Sequence, residues 1–318
     1  MTKVVVTCPV RDQVEDILSE DNLNVIYFDS EEPVPYHEIK REARDAEGLL
    51  CMLYDRIDEE LIDSCPKLKV ISSVSTGLNH IDLEKAKKRG IVVTHTPGIL
   101  TEATADLAWA LLMATARRIA EGDRFCRDGL FKGWRHHLLI GQDVYGSTLG
   151  IFGMGRIGAA IARRAQGFQM KVLYHNRNKS PYENEVKATY VTFEELIEKS
   201  DHLIISAPLT PETKGRFGRE EFKAMKPTAV LINIGRGPIV KERELAQAIN
   251  SGEIWGAGLD VYEREPEIDG LLMKTPRVVL LPHIGSASGD TRRRMARAAA
   301  RDLVKALRGE KPDHLAEL

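Results

Sequence analysis

The chain has 318 residues, 43% of them apolar and 29% charged, which excludes a largely disordered protein and leaves room for two domains with sizeable cores. Its 45 basic and 47 acidic residues give a formal net charge of −2, without the basic excess of a dedicated nucleic-acid binder. The densest apolar run, Leu107 to Ala114, falls far short of the roughly 20 residues a membrane span needs, so no membrane partner is expected.

The opening MTKVVVTCPV lacks the apolar core and cleavage site of a signal peptide and reads at once as a strand. Cys8, Cys51, Cys65 and Cys126 form no CxxC and no paired spacing, the pattern of reduced thiols, and a cytoplasmic location is expected. Short apolar runs then alternate with amphipathic segments, as in the βαβ units of a parallel sheet. Strands are predicted at Lys3–Thr7, Val25–Phe28, Gly48–Met52, Val70–Val74 and Ile91–Thr94, with helical patterns between them such as Asp82 to Arg89. This first stretch reads as a small α/β domain. Pro97-Gly98 precedes a long helical pattern, Thr101 to Arg118. At roughly 1.5 Å per residue that helix spans about 27 Å, enough to bridge two domains. Strands resume at Thr148–Phe152, Lys171–Tyr174, Leu203–Ser206, Val230–Ile234 and Val278–Leu281. A last helix, Ser286 to Leu307, follows the second sheet and could pack back on the first domain, making that domain discontinuous. Hinges are expected near Pro97-Gly98 and Pro282–Gly285.

The strongest local motif is GMGRIG: Gly153, Met154, Gly155, Arg156, Ile157 and Gly158. It follows the apolar run TLGIF and opens the helical pattern RIGAAIARRAQGF, the context that separates a dinucleotide fingerprint from a chance glycine cluster. Gly153 permits the tight turn, Gly155 lets backbone approach a pyrophosphate, and Gly158 allows close packing of helix on strand. The helix N-terminus supplies free N–H groups and partial positive charge. The bland alternative is a glycine-rich turn with no ligand. An NAD-selective site usually places an acid at the end of the next strand, to accept from the ribose 2′-OH. Here MKVLYHNRN runs into Lys179 with no acid, and Arg177 and Lys179 suit a 2′-phosphate instead. NADPH is therefore the expected cofactor, with NADH the weaker alternative, although a solvated basic loop would look the same.

Three later segments carry candidate chemistry at the carboxyl ends of strands, where a doubly wound sheet presents its ligand crevice. They are LINIGRGPIV with Arg236, GAGLDVYEREP with Asp260 and Glu265, and LPHIGSAS with His283. Read singly, each has a bland reading: a surface arginine in a turn, a loop glutamate before proline, a satisfied histidine after proline. Together and in this order with GMGRIG, they resemble the D-isomer-specific 2-hydroxyacid dehydrogenases. The likeness extends over nearly the whole chain, through STGLNHID (Ser75 to Asp82) and TPGILTEATADLA, and is nearest to the glyoxylate and hydroxypyruvate reductases of that family.

The resemblance implies an α/β fold. A Rossmann-type doubly wound parallel-sheet domain, here about residues 99–283, is inserted in a smaller flavodoxin-like α/β domain, here 1–98 and 284–318, with the active site in the cleft between. It also implies a homodimer built on the nucleotide domains. Reduction of a small 2-keto acid needs a hydride, a proton for the carbonyl oxygen and an anchor for the carboxylate. His283 suits the proton donor, since histidine titrates near working pH. Glu265 would bond its other ring nitrogen, favour imidazolium and orient the ring. Arg236 would clamp the carboxylate and polarise the carbonyl. Backbone N–H groups of Ser75, Thr76 and Gly77 and near Leu53 would complete the carboxylate cradle. Asp260 matches the family residue near the nicotinamide carboxamide, and Thr104 one near the cofactor phosphate or ribose.

The sequence departs from the family pattern at Lys241, where many relatives carry an acid, a change expected to matter only at the surface. Leu138 lies where some hydroxypyruvate reductases place a tryptophan from the neighbouring subunit. His136-His137 does not suggest a metal site, because adjacent residues share no helix face and no acidic partner is suitably spaced. Two other readings stay open: the same chemistry on another 2-keto acid, and a nucleotide-sensing binding protein on the same fold.

Overall fold

The computed structural model describes residues 1–317. Its first sheet holds β1 (Lys3–Val6), β2 (Asn24–Tyr27), β3 (Gly48–Cys51), β4 (Val70–Ser73) and β5 (Val92–Thr94). All neighbours are parallel and the spatial order is β2-β1-β3-β4-β5, the flavodoxin-like order. The helices between them are α1 (Arg11–Ser19), α2 (Tyr36–Ala43), α3 (Glu59–Ser64) and α4 (Leu83–Lys88). Strands β3 and β4 are buried along their whole length, which is why GLLC and VIS read as continuous rather than alternating apolar runs. Side chains of Asp58 and Asp82 cap α3 and α4 by accepting the Leu61 and Lys85 N–H groups.

The second sheet has seven strands in the order β12-β11-β10-β9-β6-β7-β8, again all parallel. They are β6 (Thr148–Phe152), β7 (Lys171–His175), β8 (Thr189–Tyr190), β9 (His202–Ile205), β10 (Val230–Asn233), β11 (Gly256–Leu259) and β12 (Val278–Leu280). The order reverses between β6 and β9, so this is a doubly wound sheet with its switch point after β6. Its helices are α5 (Thr101–Ala116), α6 (Ile119–Arg127), α7 (Arg156–Ala165), α8 (Phe193–Lys199), α9 (Arg219–Ala224) and α10 (Glu242–Ser251). One face is filled by Phe152, Phe193, Phe217 and Phe222 with aliphatic neighbours, the other by α5 and α7 with Tyr174 and Trp109.

Two strands, β8 and β11, were not among those predicted. The second has a physical reason. GAGL has low strand propensity, but α5 lies against it so closely that a Cβ on Gly258 would stand 2.7 Å from both Leu111 Cγ and Thr115 Oγ1. The long helix also ends sooner than Arg118. Gln142 donates its N–H to the Ala116 carbonyl at 2.8 Å, and Arg118 turns left-handed at φ +54° before α6 begins.

The final helix, α11 (Gly289–Leu307), packs on β3, β4, β5 and α1. Ser72 Oγ donates to the Ala299 carbonyl at 2.8 Å, and Arg297 reaches Asp16 with both terminal nitrogens at 2.9 and 2.7 Å. The chain thus forms two units, Met1–Leu100 with Ser286–Leu318, and the continuous stretch Thr101–Gly285. Among the described residues, no helix is long and apolar enough to cross a membrane.

Candidate active site

The glycine turn sits at the switch point of the second unit. Gly153 adopts φ +98°, and a Cβ there would stand 2.5 Å from the Ala207 backbone, so only glycine fits. The Ser206 hydroxyl donates to the Gly153 carbonyl at 2.7 Å. Helix α7 then begins at Arg156 with no side chain capping its first turn. A Cβ on Gly155 would meet nothing within 4 Å. Uncapped N–H groups facing open space, at the positive end of a helix, fit the pyrophosphate of a dinucleotide. Arg156 is exposed, and Ile157 and Gly158 complete the turn against the strand.

Met154 stands apart from its neighbours. Its side chain is buried in the core, and its N–H goes to Asn176 Oδ1 at 2.6 Å, while Asn176 Nδ2 donates back to the Met154 carbonyl at 3.2 Å. The residue just past β7 therefore braces the glycine turn, and Arg177, the next one, is exposed. Glu212 feels the Arg177 charge, which helps hold its carboxyl below the usual range, after the larger effect of its bond to Thr210.

The ends of β10, β11 and β12 carry the other charged groups. Asn233, fully buried at the end of β10, accepts the Gly235 N–H at 3.1 Å and donates to the Arg236 carbonyl at 3.1 Å. This closes the turn that presents Arg236, whose Nη1 donates to the Gly235 carbonyl at 2.7 Å. Burial pulls the guanidinium below its ordinary value, opposed by the Glu265 charge, yet arginine remains a cation.

Asp260 follows β11 and is buried. Its two oxygens accept the N–H groups of Ile284 and Gly285 at 2.7 and 2.8 Å. Burial lifts its carboxyl above the usual range, although those two bonds and His283 oppose the lift. Thr104 on α5 is buried beside the same place, since a Cβ on Gly285 would lie 3.2 Å from Asp260 Oδ2 and 3.6 Å from Thr104 Oγ1. The residue before these bonds, His283, takes a left-handed φ of +55°. Its Nδ1 lies 2.8 Å from Glu265 Oε2, and the other Glu265 oxygen accepts the Tyr262 N–H at 3.1 Å. Burial would raise the Glu265 carboxyl, but the bond and charge of His283, the Tyr262 N–H and Arg236 outweigh it and hold it below its ordinary value. Among the described residues nothing bonds His283 Nε2, and 28% of the side chain is exposed.

Sequence reasoning missed the supports of these residues. The Tyr262 hydroxyl donates to the Leu281 carbonyl at 2.8 Å, tying the strand carrying Asp260 to the one carrying His283. Buried Glu242 accepts the Glu263 and Asp269 N–H groups and, in return, Glu263 accepts the Glu242 N–H at 2.9 Å. An asparagine closing a strand before Gly-Arg-Gly was a readable turn signal. Nothing local marked Tyr262 or Glu242. Lys241 lies on the surface, 3.4 Å from Glu244. Among the described residues, no group of three or more His, Cys, Asp or Glu is placed to hold a metal ion.

In the first unit, the segment after β4 turns its acceptors inward. The Ser75 hydroxyl donates to the Gly77 carbonyl at 2.7 Å, the Thr76 carbonyl meets His95 Nδ1 at 2.9 Å, and the Ser75 carbonyl accepts the Thr96 N–H at 2.8 Å. Among the described residues, the N–H groups of Ser75, Thr76, Gly77 and Leu53 have no hydrogen-bond partner in the protein. Leu53 is 37% exposed on the loop after β3.

Comparison with known proteins bears on this arrangement. The family model described as D-isomer specific 2-hydroxyacid dehydrogenase, NAD binding domain, matches residues 109–285, more than half of the chain. The chain belongs to the D-isomer specific 2-hydroxyacid dehydrogenase family. It is an oxidoreductase of that family and binds a nicotinamide dinucleotide through its second unit. Among its relatives is a glyoxylate reductase of Thermococcus gammatolerans, 44% identical over 98% of this chain and 95% of that protein. Another, from Pyrococcus horikoshii, is 45% identical over 93% and 90%. The crystal structure of the TT0316 protein from Thermus thermophilus matches with a TM-score of 0.92 at 43% identity, covering 99% of this chain and 100% of that one. A Sinorhizobium meliloti NADPH-dependent glyoxylate/hydroxypyruvate reductase, in complex with NADP and malonate, matches with a TM-score of 0.88 at 32% identity over 99% and 96%.

The paired bonds of Asp260 give a first prediction. Asp260→Asn keeps one acceptor oxygen but turns an amide N–H₂ toward a backbone N–H. That loss of a charge-assisted bond in a buried place should cost about 1.5–3 kcal/mol. A urea titration should show a lower midpoint, and a midpoint equal to wild type would remove Asp260 as the anchor of the 283–285 loop.

Proposed function

We propose that this chain reduces glyoxylate or hydroxypyruvate to the corresponding D-2-hydroxy acid, with NADPH as the preferred reductant. The observation that carries the reading is the His283–Glu265 pair at 2.8 Å, with His283 Nε2 unbonded and Arg236 acting electrostatically on the same carboxylate. The glyoxylate reductases among its relatives, at 43% to 48% identity, agree with it.

When bound, a reduced nicotinamide would supply the hydride for the keto carbon. His283 donates its Nε2 proton to the carbonyl oxygen as that oxygen gains charge, and recovers a proton from solvent afterwards. Glu265, held ionised below its ordinary range, keeps Nδ1 protonated and the ring in one orientation. Arg236 holds the substrate carboxylate and draws electron density from the carbonyl. In the first unit, the unpartnered N–H groups of Ser75, Thr76, Gly77 and Leu53 are available to a carboxylate. Gly153, Gly155, Arg156, Ile157 and Gly158 would hold the pyrophosphate, and Thr104 and Asp260 would serve the ribose and nicotinamide. Met154 serves by its backbone position alone. The four cysteines form no disulfide, in keeping with a reducing, cytoplasmic setting.

Dinucleotide choice rests on the exposed Arg177 and the absence of an acid after β7. A homodimer is supported by apolar side chains stranded on and after α6: Ile119, Leu130, Phe131, Trp134 and Ile140 are all more than half exposed.

Three outcomes check this reading. Activity is read as NADPH consumption at 340 nm. Loss of rate from protonating Glu265 should set in only below the ordinary carboxylate range, because its carboxyl is held low. Glu265→Gln should remove that acid limb, since the amide has no carboxyl to protonate, and His283→Ala should cost roughly 10²–10⁴-fold. An acid limb that persists, or near-normal activity without His283, would point to a nucleotide-binding protein instead. For the cofactor, Arg177→Ala should weaken NADPH roughly 10- to 150-fold, the range of one charge-assisted bond, and NADH far less. Equal loss for both cofactors would remove the assignment. For the assembly, sedimentation velocity should give a dimer that Phe131→Asp with Trp134→Asp converts to monomer, and a monomeric wild type would contradict it.

A further inference from the structure

The loop that carries Leu53 is closed from below by a carboxyl that the reaction as described does not use. Asp55 is 2% exposed. Its Oδ2 accepts the Met52 N–H at 2.7 Å and the Thr7 hydroxyl, and its own N–H donates to the Met52 carbonyl at 3.1 Å. Among the described residues, every hydrogen bond of the 52–55 turn runs to or from Asp55. Met52 packs against the core, but the side chains of Leu53 and Tyr54 are 37% and 42% exposed, so packing does little to hold the tip of the turn.

The carboxyl is costly to keep there. Its Oδ1 is buried without a partner, and Cys8 and Cys51, both fully buried, lie close enough to feel its charge. Burial pushes Asp55 up to about 6, against the opposing bonds from Met52 and Thr7. A turn needing only closure could use serine or asparagine without desolvating a charge. A carboxylate there gives stronger, charge-assisted bonds and ties the turn to the end of β1 through Thr7.

We propose that Asp55 is a positioning residue for the substrate: it fixes the Met52–Asp55 turn so that the Leu53 N–H stays available to the carboxylate of the keto acid. The proposal rests on the reductase reading above. It places specificity for the acid group partly in a buried side chain that never touches it. The Ser75–Gly77 segment is held by other groups, Ser73, His95 and Thr96, and makes no hydrogen bond to Asp55.

The test uses the full chain with glyoxylate and NADPH. Asp55→Ala should raise KM for glyoxylate about 10-fold, the loss of one good hydrogen bond to the substrate, with a smaller change in kcat. The dissociation constant of NADPH, read by protein fluorescence, should stay within about twofold. Asp55→Asn keeps an acceptor for the Met52 N–H and should bring KM most of the way back. If Asp55→Ala does not fold, Thr7→Val, a near-isosteric removal of one donor, should raise KM about threefold with NADPH binding unchanged. An unchanged KM in the variant that folds, a parallel rise in NADPH dissociation, or an asparagine variant no better than alanine would each overturn the proposal. A wild type that reduces neither glyoxylate nor hydroxypyruvate would instead overturn the functional reading, and this proposal with it.

Discussion

Two consecutive peptide N–H groups, those of Ile284 and Gly285, end on the two oxygens of one buried carboxylate, Asp260. Much of the second unit's site depends on that arrangement. It lets His283 keep a left-handed backbone, which costs a non-glycine residue about 1–3 kcal/mol unless its surroundings over-determine it. It also couples the ring to the sheet, because Asp260 directly follows β11, which pairs with both β10 and β12. The direction of His283 is therefore set by strand register rather than by loop packing.

The same logic recurs around it. The loops that carry the neighbouring charged groups are held by buried polar groups bonded to backbone. Asn233 closes the turn of Arg236, Glu242 secures the loop after Glu265, and the Tyr262 hydroxyl joins the ends of two strands. Buried polar groups of this kind are costly when unpaired and stiffen a structure when fully paired. Glu265 lies under the influence of both His283 and Arg236, which lower its carboxyl and keep it ionised against the penalty of burial.

How much was legible varied with the range of the forces involved. GMGRIG could be read because a strand, a left-handed turn and a helix start are consecutive in sequence, and each has its own residue signature. Strand β11 could not. Its glycines look like a loop until α5 is seen lying on Gly258, where any side chain would strike Leu111 or Thr115. The end of the long helix was misplaced for a similar reason: the chain at Gln142, far along the sequence, takes the carbonyl of Ala116. Met154 was grouped with its neighbours by the motif, but Asn176 from the next strand occupies its N–H.

The sequence by itself determined the alternation of strands and helices, the doubly wound class and the glycine turn, and it singled out Arg236, Glu265 and His283 as candidates, because these are carried by local pattern and residue chemistry. Tertiary structure decided how they are held. Which N–H groups Asp260 receives, what secures Asn233, Glu242 and Asp55, and which backbone donors of Ser75–Gly77 are left without partners all depend on segments far apart in the chain. Hydrogen bonds between such segments are directional and short, so they exist only once the sheet has fixed the strand ends, and no spacing along the chain encodes them.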